Sequence, residues 1–165
     1  GQVMTVAGGI PSWATPAAST PTFVGCRLFN STNQSIPTNT STEVTLNSEA
    51  FDTNGFHSTT TNTARITIPT GYAGKYLVTA SWEWDGGSTT GARELFVRKN
   101  GNLALGNANY IGQSPHASYF QNVIFPIDLA VGDWISMWVQ QNSGGNANGQ
   151  CTQNYTNFSA IWLGA

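Results

Sequence analysis

The residues that could carry out catalysis are few in this chain, and their spacing favours no reaction. Glycoside hydrolysis needs two carboxyl groups about 5–9 Å apart. Glu83 and Asp85 stand two residues apart on one side of a predicted strand, so their spacing allows it. We interpret them instead as charges at a strand end, because Asp85 precedes two glycines that suit a turn. His57 and His116 have no neighbouring Ser or Cys motif that indicates a nucleophile. We therefore predict no catalytic residue and a protein that is not an enzyme, with a polysaccharide hydrolase as an alternative.

Metal and cofactor binding receive equally little support. Cys26 and Cys151 are the two cysteines, and their spacing is not that of a metal site. They either form one disulfide that closes most of the chain or remain two small buried residues. Loop oxygens could hold a calcium ion, but no cluster of acidic residues marks such a site. The sequence predicts no metal and no cofactor.

The composition excludes two classes of partner. Only 8% of the 165 residues are charged and the net charge is -2. No run of Lys or Arg exists to bind a phosphate backbone, so we expect no nucleic acid. No apolar stretch is long enough to span a membrane. Thr, Ser, Asn and Gln must supply the polar surface, which suits glycan contacts and exposed particles.

The pattern of apolar residues predicts a head domain over residues 23–165, made only of strands. Residues 1–22 are rich in Gly, Pro and small side chains, and we interpret them as a linker or collar. No window shows an apolar helical face. We expect a two-sheet antiparallel sandwich of about ten strands. The predicted strands are 23–29, 42–46, 50–52, 64–68, 74–84, 92–99, 103–105, 118–126, 134–140 and 157–163.

Two of these strands carry more apolar residues than one sandwich needs. One face of strand 74–84 holds five apolar or aromatic side chains, at alternate positions from Tyr76 to Trp84, while Leu77 interrupts the polar opposite face. The last strand ends apolar on both faces. A strand apolar on both faces is covered twice. We expect a neighbouring subunit to supply the second cover, with Leu77, Ile161 and Leu163 at the interface.

Four motifs occur in an order that resembles a known superfamily. They are GYAGKY at 71–76, RKNG at 98–101, LAVGDWI at 129–135 and NFSAIWL at 157–163. The sequence resembles the jelly roll of the complement first-component q and tumour necrosis factor superfamily, although Ala160 stands where that superfamily usually has Gly. The resemblance implies a jelly-roll fold and a homotrimer.

A second resemblance concerns the N-terminal segment. The sequence GQVMTVAGGIPSWA at 1–14 is similar to short linkers ahead of terminal domains in bacteriophage fibre and appendage proteins. It implies an upstream fibre stalk and a place on the virion surface.

The predicted function follows from where the loops lie. In this jelly roll the first and last strands are antiparallel neighbours, so connections 85–91, 106–117 and 141–156 leave at the end opposite the chain termini. Binding residues concentrate on loops held by a rigid scaffold. We predict the non-enzymatic trimeric head of a bacteriophage fibre, which binds a host cell-surface glycan or protein receptor. The predicted receptor-binding residues are Trp84, Asp85, Tyr110, His116, Tyr119 and Tyr155.

Other functions remain open at this stage. The domain could be a structural or capsid-decorating part of a fibre without a receptor. It could also be a secreted ligand of the complement q type, which the glycosylation motifs at Asn30, Asn33, Asn39, Asn154 and Asn157 would suit.

Overall fold

The computed structural model describes residues 2–14, 23–85, 91–102, 109–111 and 119–165. Every regular element in these residues is a β-strand, so none of them forms a helix that could cross a membrane. The strands are β1 (Val3–Ala7), β2 (Ile10–Ala14), β3 (Gly25–Phe29), β4 (Gln34–Ile36), β5 (Thr42–Glu43), β6 (Ser48–Asp52), β7 (Arg65–Thr67), β8 (Gly74–Asp85), β9 (Arg93–Lys99), β10 (Asn109–Ile111), β11 (Tyr119–Leu129), β12 (Trp134–Gln141), β13 (Ala147–Gly149) and β14 (Asn157–Gly164).

Two antiparallel sheets form the body. Six strands of the seven-stranded sheet follow the order β4-β13-β8-β14-β3-β6. The seventh strand, β11, also pairs with β8 but stands outside this order. The five-stranded sheet has the order β10-β9-β12-β5, and β7 pairs with β12 as well. This arrangement confirms the predicted all-β, two-sheet antiparallel jelly roll.

The core lies between the sheets and follows the alternation of the strands. Tyr76, Val78, Ala80, Trp82 and Trp84 of β8 all point inward and are at most 1% exposed. They pack in one cluster with the inward residues of the five-stranded sheet, which include Ile135, Met137 and Val139. The long run of alternate apolar side chains therefore identified its buried face correctly.

Strand pairing separates two ends of the body, which we call the base end and the distal end. At the base end Gly74 pairs with Leu129, and Gly164 pairs with Lys75. At the distal end Asp85 pairs with Asn148, so β8 ends where β13 lies. The first and last strands of the body, β3 and β14, are antiparallel neighbours as expected. Connection 141–156 and the described ends of connection 85–91 therefore lie opposite the start of β3 and the end of β14.

A hydrogen-bonded turn network closes the base end. Asn100 adopts a positive φ of 52° in the tight turn between β9 and the following residues. Its amide nitrogen donates to Asp133 at 2.7 Å, and its amide oxygen accepts from the backbone nitrogen of Trp134. Asp133 also forms an ion pair with Lys99 at 2.6 Å. The motifs at 98–101 and 129–135 therefore meet in one pair of interlocked turns.

Several strand predictions need correction. The predicted strand 42–46 shortens to β5, and 103–105 lies outside the described residues. The strands β4, β10 and β13 were not predicted, because three-residue strands in Asn-rich segments show too little alternation.

Within residues 1–22, which we interpret as a linker or collar, β1 and β2 form an antiparallel hairpin that no predicted strand covered. The two residues between these strands, Gly8 and Gly9, have φ values of 60° and 80°. Two glycines with positive φ are a recognised two-residue hairpin turn, so the signal was present in the sequence. The hairpin exposes Ile10 at 72% and Trp13 at 64%, so neither side chain is buried against the body.

The structure has no disulfide between the two cysteines. Cys26 in β3 and Cys151 before β14 are both fully buried and form no disulfide. Burial raises the pKa of both thiols, and that of Cys151 rises to about 11. The choice between one bridge and two buried thiols stays a prediction.

Candidate binding surfaces

The distal end is held together by amide and hydroxyl groups. Gln141 at the end of β12 donates from Nε2 to the carbonyls of Ile36 and Gly145, and its Oε1 accepts two hydrogen bonds from Ser143. The next residue, Asn142, accepts a hydrogen bond from the backbone nitrogen of Ala92. These contacts fix the start of connection 141–156 against two other segments. A loop fixed in this way can present its outer side chains in one geometry.

The middle of the same connection packs directly on the core. A Cβ placed on Gly149 in β13 would lie 1.8 Å from Cζ2 of Trp82, so only glycine fits there. Thr156, which is fully buried, donates to the carbonyl of Gln150 at 2.8 Å and thereby closes the loop before β14. The outline of the distal end is therefore coupled to the tryptophan core beneath it.

Trp84 is not a receptor-binding residue, and this prediction is corrected. Its ring is 1% exposed, because it belongs to the inward face of β8. Its Nε1 donates to the buried side chain of Gln121 at 2.7 Å, and the guanidinium of Arg93 lies 5.2 Å from its ring centroid. Trp82 packs on it edge to face. Trp84 therefore supports the distal end from below.

Tyr155 lies at the distal surface, as predicted. It is 39% exposed, and its ring centroid lies 6.1 Å from that of Phe120, which is 47% exposed. Sequence reasoning missed Phe120, although its outward position follows from the alternation along β11. The pair forms an exposed aromatic surface beside the end of β8.

The other predicted receptor-binding residues have only their backbones described, or are not described at all. Asp85 ends β8, Tyr110 lies within β10 and pairs with Glu94, and Tyr119 begins β11 opposite Trp84. Their backbones thus gather near the distal end. His116 lies outside the described residues. The receptor-binding role of all four stays a prediction.

The outward face of the seven-stranded sheet is the second candidate surface. Leu77 of β8 pairs in register with Pro126 of β11 on one side and Ile161 of β14 on the other. Ile124 in the same face is 65% exposed. Further along β14, Leu163 is 60% exposed. An apolar strip thus crosses three neighbouring strands on the face that points away from the core.

Groups for catalysis or metal binding are sparse in the described structure. Glu83 points outward from β8 but is only 6% exposed, and no group of three His, Cys, Asp or Glu side chains that could hold a metal occurs among the described residues. The Nδ1 atom of His57 lies 2.8 Å from Oε1 of Glu49. His57 is therefore engaged in a local contact.

The sheet order defines a jelly-roll domain, and its fold is similar to that of complement first-component q and tumour necrosis factor domains. Solved structures share this fold. The crystal structure of murine APRIL at pH 8.0 has a TM-score of 0.66 and 14% identity, and the match covers 86% of this chain and 100% of the APRIL chain. The globular domain of zebrafish complement 1qA protein has a TM-score of 0.54 and 14% identity, with 86% of this chain and 98% of its own covered. Eiger TNF from S. frugiperda has a TM-score of 0.55 and 10% identity, with 86% and 93% covered. No model of a protein family and no curated protein matches the sequence.

Proposed function

We propose that this chain is a non-enzymatic ligand domain that assembles as a homotrimer and binds a cell-surface receptor with its distal end. The observation that carries the proposal is the apolar strip through Leu77, Pro126 and Ile161, with Ile124 exposed beside it. Contiguous apolar surface on a soluble domain marks an interaction site. Closed homo-oligomers use the same patches in every copy. The jelly-roll likeness favours three copies.

Trimer formation determines the direction in which the receptor-binding ends point. Three parallel copies that share the outward faces of their seven-stranded sheets present three distal ends in one direction. Single glycan contacts are weak, and linking several of them raises the overall affinity without new contacts. Phe120 stands on the same outward face as Ile124 but four residues nearer the distal end, and at that edge of the trimer it offers with Tyr155 an aromatic surface on which a sugar or protein side chain can pack.

The trimer is tested by the mass of the protein in solution at micromolar concentration. Sedimentation equilibrium should give three times the chain mass of 17.6 kDa. Ile124→Asp places a charge in the strip and should yield monomers that keep the circular dichroism of the wild type. Val131→Asp is the matched control, because Val131 is 50% exposed in the base-end turn. A monomeric wild type, or an Ile124→Asp variant that remains a trimer, would refute this interface.

A finer proposal places the domain at the tip of a bacteriophage fibre, on the virion surface, with a host glycan as its receptor. A fibre tip works exposed to the medium, and the low charged fraction of 8% together with the amide and hydroxyl network of the distal end suits that setting. The hairpin of β1 and β2 supports an upstream stalk, because an isolated two-stranded hairpin is marginal in water and gains from neighbouring chains.

The receptor contact is tested by adsorption. Purified wild-type protein should compete with the phage for host cells, and a variant with Tyr110, His116 and Tyr155 changed to Ala should lose that competition. Val131→Ala at the base end should compete as the wild type does. Equal competition by the triple variant would exclude the distal end as the contact. Release of oligosaccharides from purified surface polysaccharide would favour the hydrolase instead.

A further inference from the structure

An open cleft of about 210 Å³ lies on the flank of the sandwich, where the chain crosses from β6 to β7. It is away from the distal end and from the apolar strip. Its lining includes hydroxyl and amide side chains and one guanidinium, namely Ser58, Thr61, Asn62, Thr67 and Arg65. Such a lining offers many hydrogen-bond donors and acceptors and little apolar surface. It suits a polyhydroxylated ligand better than an apolar one.

The connection that forms one wall of the cleft is rigidly held. Oδ1 of Asp52 accepts the backbone N–H groups of Asn54, Gly55 and Phe56, at 3.0 to 3.2 Å. The His57 ring, whose side chain is fully buried, lies between Glu49 and a backbone carbonyl, with a ring nitrogen on each. The carboxylates nearest the cleft are therefore engaged by its own wall, and the wall is preorganised for a ligand.

Arg65 stands at the cleft with its charge uncompensated by a carboxylate. Its guanidinium stacks over the Trp134 ring at 3.8 Å from the centroid. In the part of the chain that the structure describes, this guanidinium forms no ion pair and no hydrogen bond. Stacking fixes the plane of the group while its N–H edges stay available, and a planar fork of N–H donors matches a carboxylate.

We propose that this cleft binds a carboxylated sugar unit of an acidic glycan. Arg65 binds the carboxylate, Trp134 positions the guanidinium, and the hydroxyl groups of Ser58 and Thr61 with the Asn62 amide bind the sugar hydroxyls. The site differs from the distal receptor contact in place and in ligand charge. It also lies off the apolar strip, so each subunit of a trimer would carry an accessible copy. It stands or falls independently of the proposed function.

A matched pair of ligands isolates the carboxylate. Methyl β-glucuronide and methyl β-glucoside differ only in the group at C6, and each is titrated into ¹⁵N-labelled protein. The glucuronide should shift the Trp134 indole N–H signal in a saturable way, with an affinity at least about tenfold better than the glucoside, which corresponds to 1.4 kcal/mol. Added salt should weaken binding of the glucuronide.

Substitutions at Arg65 and Arg98 distinguish binding in the cleft from attraction to positive charge elsewhere in the sheet. Arg65→Gln should weaken glucuronide binding at least about tenfold, and Arg65→Lys should give an intermediate value because it keeps the charge without the fork. Arg98→Gln is the matched control: Arg98 stacks on Trp138 at 3.9 Å in the same sheet but does not line the cleft. Its variant should bind as the wild type does.

Three outcomes would overturn the proposal. They are no saturable shift with the glucuronide, equal affinity for both glycosides, and equal losses in Arg65→Gln and Arg98→Gln. The last result would assign the binding to the charge of the whole sheet. Because all variants are compared at the same tertiary fold by their amide spectra, loss of structure is detected separately.

Discussion

Replacing Gly149 by alanine should destabilise the domain far more than an equivalent change four residues earlier. The added Cβ would lie 1.8, 2.1 and 2.6 Å from three carbons of the Trp82 ring. Carbon atoms in contact prefer about 3.5–4.0 Å, so the ring or the strand must move by close to 2 Å. The ring is fully buried in the core and packs edge to face against Trp84. We therefore expect β13 to move outward.

The cost combines overpacking with lost strand pairing. Inserting a methyl group into a well-packed site costs about 1–3 kcal/mol, and sometimes more. Here β13 also pairs with β8 at Trp84 and with β4 at Gln34, so both contacts weaken when it moves. We predict a loss of about 3 kcal/mol. For a domain of this size that lowers Tm by about 6–12 °C.

Thermal unfolding by circular dichroism at one fixed protein concentration measures the difference, since assembly makes Tm depend on concentration. Gly145→Ala is the control: it lies in the same connection, and a Cβ there meets no atom within 4 Å. It should change stability by no more than about 0.5 kcal/mol. Near-ultraviolet dichroism should change in Gly149→Ala, because Trp82 is displaced. Equal Tm values for the two variants would refute the claim that the core dictates the path of β13.

Two further predictions concern titrating groups. Burial acts to raise the pKa of Asp133, but hydrogen bonds led by that from Lys99 outweigh it and lower the pKa to about 2. The carboxylate therefore stabilises the fold above about pH 4 and loses this contribution as pH falls towards 2. Measured by urea titration, Asp133→Asn should lower the free energy of unfolding by about 1–2 kcal/mol at pH 7 and by progressively less in acid. The control Asp128→Asn removes an exposed ion pair and should lower it by under about 0.5 kcal/mol at any pH. Equal losses of stability in Asp133→Asn at pH 7 and pH 2 would contradict this prediction. Because Cys26 and Cys151 are buried thiols, a thiol reagent should label neither in the native protein and both after denaturation; one or no labelled thiol in denaturant would indicate a bridge.

The core and its faces could be predicted because they depend on local alternation. Tyr76 to Trp84 repeat every second residue, so the inward face of β8 followed from the sequence. The turn at 98–101 also has a local cause, because Asn100 followed by Gly101 tolerates a positive φ. In both cases the physical cause lies within a few residues.

Other features depend on contacts between distant segments. Trp84 shares the alternating inward face of β8 but also stands beside a predicted loop, and the packing of Gln121 and Arg93 around it decides between these two interpretations in favour of burial. The cleft beside Arg65 arises where the connection from β6 passes β7, and no local pattern marks it. Phe120 could have been found by extending the alternation of β11 to its first residues.

Apart from the Arg27 guanidinium, which donates to the carbonyl of Gln153, the hydrogen bonds that hold connection 141–156 come from amides, hydroxyls and carbonyls, as at Gln141 and Thr156. None of these groups gains or loses a proton between mild acid and mild alkali, and the contacts between them are scarcely screened by dissolved ions. The contour of connection 141–156 should consequently persist from low to high salt concentration.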